Sequence, residues 1–169
     1  MLGLYENFPQ GVHLTKTYTS ALSKKESQEC IIKIIKEINR KNLTFEEVGN
    51  PEIPNSTVIF EVGIADAHCF NYIDKEETQK ILNIIDAQAF NILDFFCVIR
   101  YYKNTSPKKT PLKFDYYMIR LAFGKDRTVE FQIFHERGPR YIAPLDLLAF
   151  MVHKVNSAAS RKILKLTES

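Results

Sequence analysis

The sequence predicts a single α+β domain over residues 1–169, with a mixed or antiparallel sheet and helices on at least one face. Three observations predict it. Three long runs rich in aromatic and β-branched residues follow one another in the C-terminal half, separated only by turn chemistry, as an antiparallel meander requires. Amphipathic helical stripes with capping signals accompany them, without the regular strand–helix alternation of a doubly wound sheet. A chain of 169 residues, 45% hydrophobic and 25% charged, is long enough to bury one core without disulfide or metal staples.

In chain order, Pro9 and Gly11 signal a turn, and VHLTKTYT (12–19) alternates as a first strand with Val12 and Leu14 on one face. Ser23 and Glu26 have capping-box spacing, each able to satisfy an orphan N–H of a helix start. Cys30, Ile31, Ile34, Ile35 and Ile38 then form the apolar stripe of that helix, and Lys33, Lys36 and Arg40 share its solvated edge with acidic residues. GNPEIPNS (49–56) is a loop, and STVIFEVGIAD (56–66) a second strand interrupted by Gly63, where a bend, a bulge or a close backbone approach is expected.

Asp74 and Glu77 repeat the capping spacing before Ile81, Leu82 and Ile85, the stripe of a second helix. The meander comprises residues 90–103, 111–124 and 127–137. Pro144 suits a helix first turn, Asp146 its positive end, and Leu145, Leu148, Ala149, Val152 and Val155 its buried stripe. SRKILKL (160–166) reads as a further short helix. The expected order is β-α-β-α-β-β-β-α, with neither an internal repeat nor a low-complexity segment.

A net charge of +3, with 20 acidic residues among 23 Lys and Arg, argues against a chain-wide basic field, so nucleic-acid affinity would need a local patch. Three widely spaced cysteines, Cys30, Cys69 and Cys97, form neither a zinc ribbon nor a disulfide framework and point to a reducing compartment. MLGLYENFPQG lacks the basic and apolar regions of a leader, and no apolar run is long enough to span a bilayer; a cytoplasmic, non-membrane protein is the expectation.

Alternation divides the meander into two faces. Leu93, Phe95, Cys97, Ile99, Tyr117, Ile119, Leu121, Phe123, Val129, Phe131 and Ile133 fall on a core face. The other face mixes aromatic and charged groups: Asp94, Phe96, Val98, Arg100, Tyr102, Phe114, Tyr116, Met118, Arg120, Glu130, Gln132, Phe134 and Glu136. A three-residue turn would set Arg120 opposite Glu130 and a five-residue turn opposite Gln132; either partner could hold its guanidinium. Protein interfaces enrich aromatic and arginine side chains, and such a sheet also suits stacking of unpaired bases, although helices covering the face would account for the same pattern.

The stretch HERGPRY (135–141) carries the second candidate. Gly138 and Pro139 must break the strand, leaving Arg137 and Arg140 beside the N-terminus of the next helix, where two guanidiniums and helix-end N–H groups would suit an anion. The competing reading is a capped turn, with His135 hydrogen-bonded at the core edge and Arg137 paired with Asp146 or another acid. Catalytic patterns are weak. Asp115 and Glu130 fall on opposite faces, so they do not converge on a metal; Asp66 and His68 lack a second ligand cluster; Cys69 beside His68 lacks an orienting group; nucleotide-binding glycine motifs are missing.

No cofactor, metal or catalytic residue is therefore expected. The reading is a non-catalytic binding or assembly module for a protein partner, a second copy of itself, or nucleic acid, using Arg100, Arg120, Tyr102, Tyr116 and Phe134 on the sheet and His135, Arg137 and Arg140 at the corner. The alternative is an enzyme or sensor for a phosphorylated ligand held at Arg137 and Arg140.

Overall fold

A computed structural model describes residues 1–50, 52–105, 108–159 and 161–167. Among these residues the α+β expectation holds, with four helices against one open antiparallel sheet of nine strands. The elements are β1 (Leu14–Ser20), α1 (Lys24–Ile38), β2 (Leu43–Thr44), α2 (Phe45–Val48), β3 (Ser56–Asp66), β4 (Cys69–Tyr72), α3 (Lys75–Ala87), β5 (Ile92–Asn104), β6 (Lys109–Pro111), β7 (Asp115–Phe123), β8 (Thr128–Arg137), α4 (Pro144–Ser157) and β9 (Leu164–Leu166). The sheet runs β2-β3-β5-β7-β8-β1-β9, with β4 on β3 and β6 on β5. None of the described helices is long and apolar enough to cross a membrane.

Local signals explain the larger elements. Ser23 Oγ accepts from the Glu26 N–H while Glu26 reaches back to the Ser23 N–H, closing the capping box of α1. Asp74 Oδ1 accepts from the Glu77 N–H and starts α3. Gly63 is explained by close approach: a Cβ there would lie 3.0 Å from the Asn71 carbonyl oxygen of β4. α1, α3 and α4 bury Ile31, Ile32, Ile35, Ile81, Ile85, Leu147, Leu148 and Phe150 in one core with the inner parity set of β3, β5, β7 and β8. Phe60 of β3 stacks on Phe150 of α4 at 5.3 Å.

Three expectations are corrected, and four short elements add to the expected order. Residues 164–166 form the edge strand β9, paired with β1 through Leu164–Ser20 and Leu166–Tyr18, because the free edge of β1 supplies hydrogen bonds that three residues could not make as a helix. The buried stripe of α4 consists of Pro144, Leu147, Leu148, Phe150 and Val155, whereas Leu145 is 56% exposed and Ala149 is also exposed; tertiary docking rotates the helix away from the expected face. Arg40 lies beyond the end of α1 at φ 59°, facing Glu61 at 3.7 Å and stacked over Tyr72, so it is no part of a helical edge. The small elements β2, α2, β4 and β6 escape sequence reading because two to four residues are too few to show a period.

Candidate functional site

The expected division of the meander into two faces is present, but the outer face is itself split. At one end the N-terminal segment lies across it. The Gly3 N–H donates to Ala65 O at 2.7 Å, the Asp94 N–H to Gly3 O at 2.7 Å, and the Tyr5 N–H to Asp94 Oδ2 at 2.8 Å. Gly3 has φ 94°, and a Cβ there would crowd the Ile92 carbonyl and the Phe90 ring, which is why this crossing needs a glycine.

Beneath the segment Arg120 grips fully buried Asp94 through two bonds, Nε to Oδ1 at 2.7 Å and Nη2 to Oδ2 at 2.8 Å. The Phe8 ring covers the guanidinium, 4.3 Å from ring centre to Cζ. Arg120 does stand opposite Gln132, the five-residue-turn register, yet neither Gln132 nor Glu130 holds it. They bond each other at 2.6 Å, while the carboxylate across the other edge of β7 takes the arginine. Arg120 is thus committed to Asp94 beneath Phe8, with its side chain 22% exposed, and its expected place on an open docking surface is corrected.

The other end of the face carries Arg100, Tyr102, Tyr116 and Phe134, all partly exposed. Arg100 is tied down as well, its Nε 2.8 Å from Glu61 Oε1 and its Nη1 3.3 Å from the Tyr102 hydroxyl. A row of rings, Tyr5–Phe70–Phe96–Tyr116, crosses from the covered to the open end at centroid spacings of 4.8, 5.2 and 6.0 Å. At its open end the Arg137 guanidinium stacks on Tyr116 at 4.3 Å. The alternation expected at Glu136 is broken: β8 shifts register between Tyr116 and Tyr117, so Tyr117 faces His135 and Tyr116 faces Arg137. That irregularity delivers Arg137 to the mixed face.

The corner beyond the bulge is built around Asp115, a fully buried carboxylate that the sequence placed on the core face without finding its role. It accepts four hydrogen bonds: His135 Nε2 at 2.8 Å and the Arg140 N–H at 2.6 Å on Oδ1, the Tyr101 hydroxyl at 2.6 Å and the Tyr141 N–H at 2.9 Å on Oδ2. Tyr117 donates its hydroxyl to Ile142 O just beyond the turn. Two backbone N–H groups of the turn before α4, those of Arg140 and Tyr141, are thus given to an internal anion. Gly138, at φ 113°, allows the chain to pass so close: any Cβ would overlap Phe114 O and lie 2.5 Å from Asp115 Oδ1.

His135 thus sits at the core edge as the capped-turn reading expects, but Arg137 forms no ion pair with Asp146, which instead packs beside Gly49. The sequence missed His13. Its Nδ1 accepts the His135 backbone N–H at 2.9 Å and its ring stacks on Phe134 at 4.8 Å, a contact made only by the β1–β8 pairing. Loss of hydration, then the Arg140 and His135 charges, hold the His13 imidazole below its ordinary value of 6.5. Asp115 carried a usable signal, an acid amid apolar positions of a central strand, which is the mark of a buried and satisfied carboxylate.

Chemically, the corner presents two guanidiniums, Arg137 and Arg140, with no acidic partner among the described residues. Half-exposed Tyr116 and Phe134 and the His13 ring surround them. Asp115 and Glu130 stay on opposite faces, and the described residues hold no cluster of three metal-ligating side chains. The His135–Asp115 pair has acid–base composition, but no hydroxyl or thiol is bonded to the His135 ring among the described residues, and its geometry is that of a brace for the turn. Compared with protein-family models, with curated proteins and with solved structures, the chain finds no match in any of the three.

Proposed function

We propose that this protein is a non-catalytic docking module that binds an acidic segment of a protein partner at the junction of the open sheet face and the Gly138 corner. One observation carries the reading. The Arg137 side chain is stacked on Tyr116 and the Arg140 backbone is bonded to Asp115, yet neither guanidinium meets an acid among the described residues. A stacked guanidinium keeps its N–H edge free, and that edge pairs with carboxylates in two-point geometry. Flanking Tyr116 and Phe134 supply the aromatic surface that interface cores enrich.

Nucleic acid fits this face less well. Base stacking needs bare ring faces, whereas Arg137 covers Tyr116, Arg40 covers Tyr72 and Arg120 covers Phe8. The phosphorylated-ligand alternative loses the Arg140 and Tyr141 N–H groups, which are bonded to Asp115.

The test is a fluorescence titration with a glutamate-rich peptide containing one tyrosine, set against a scrambled lysine-rich peptide. Binding of the acidic peptide alone, weakened at least about tenfold by Arg137→Ala/Arg140→Ala, is the expected result, since hydrogen bonds to charged groups contribute about 1.5–3 kcal/mol once a partner covers them. Equal binding of both peptides, or an acidic-peptide affinity indifferent to the double substitution, would overturn it.

A further inference from the structure

A second charged region lies at the far end of the sheet, where β1 leaves for α1 and the chain returns as β9. Thr19, Ser20, Ala21, Arg161, Lys162 and Lys165 line an open cleft of about 450 Å³ there. Arg127, from the turn between β7 and β8, joins its rim by donating Nη1 to Ala21 O at 2.9 Å. Four cations from two separate stretches of chain therefore converge on one concavity, and none of them forms an ion pair among the described residues. Two acids share this end of the sheet, Glu26 and Asp126. Glu26 is already engaged by Ser23, and the Arg127 and Arg161 charges add to that bond in holding its carboxyl below the ordinary range.

Among the described residues four cations against these two acids leave an excess of positive charge, and like charges repel one another, so their convergence stores a field that a polyanion relieves. We infer that this cleft binds the phosphodiester backbone of nucleic acid. Its concave form suits a strand better than a flat anionic membrane, and the exposed Thr19 hydroxyl adds a neutral donor of the sort phosphates accept. None of the lining residues named is aromatic, so nothing in it reads or stacks bases; recognition would be independent of sequence and dominated by counterion release. The site is separate from the Arg137/Arg140 corner, so the two proposals stand or fall independently.

Fluorescence anisotropy with labelled thymidine and adenosine oligonucleotides tests it, with phosphatidylserine vesicles as a parallel arm. The expected result is comparable affinity for both oligomers, falling roughly 20- to 50-fold between about 50 and 200 mM salt for three or four phosphate contacts. Arg161→Ala/Lys162→Ala/Lys165→Ala should abolish most of that binding, while Arg137→Ala/Arg140→Ala leaves it intact. These side chains are exposed, so circular dichroism should report an unchanged fold. Absence of binding at the lower salt, loss in the corner variant instead of the cleft variant, or capture of vesicles without oligonucleotides would overturn the inference.

Discussion

Asp115 shows how much one buried acid can organise. Its four donors come from β5, β8 and the turn before α4, so a single side chain fixes where the strand ends and where the corner points. Asp115→Asn replaces one acceptor oxygen by a donor facing donors, and we expect a loss of about 3 kcal/mol in urea unfolding, in line with removing one member of a buried charged network. The phenols nearby give a pH signature. Burial first, then the charges and dipoles of this cluster, push Tyr101 and Tyr117 above their ordinary value of 10.0. The unfolded chain releases those protons near pH 10 while the folded chain keeps them, so stability is intact below pH 10 and falls as pH rises beyond it. Tyrosinate absorbance should therefore include these two of the eight tyrosines only as circular dichroism reports unfolding. At the other end of the scale, Arg140→Ala removes one of the charges opposing His13 protonation and should raise that residue's titration midpoint in an NMR pH series.

At the scale of elements, backbone approach decides more than propensity. Gly138→Ala should cost more than about 3 kcal/mol, because it combines a left-handed backbone with overlap on Phe114 O that no rotamer relieves. Ser23→Ala, which removes only a cap, should cost about 1 kcal/mol in the same denaturation experiment. The elements legible in the sequence are those with a period or a local start signal: β1, α1, β3, α3, the meander and α4. β9 was misread because SRKILKL carries no periodicity of its own, and only the unpaired edge of β1 makes it a strand. The orientation of α4 was misread because Leu145, Leu148, Ala149, Val152 and Val155 satisfy helical spacing as well as the stripe that is actually buried.

For the whole molecule, the division of the outer sheet face separates stability from recognition. Arg120 belongs to the covered end, and Arg120→Ala would leave the Asp94 carboxylate buried with only the Tyr5 N–H donating to its side chain. Chemical denaturation should register a loss of about 3–5 kcal/mol, while acidic-peptide affinity at the corner stays unchanged where the protein remains folded. Arg137→Ala/Arg140→Ala should do the reverse, lowering affinity with little change in stability because both side chains are exposed. What the sequence determined by itself was the class of fold and the sorting of side chains into an inner and an outer layer, since both follow from short-range period and turn chemistry. Which outer residues are already engaged depends on how distant parts of the chain pack together. The partners of Arg120, Arg137, His13 and Asp115 arrive from strands, turns and an N-terminal crossing distant in the chain, and a local pattern holds no information about which of them will meet.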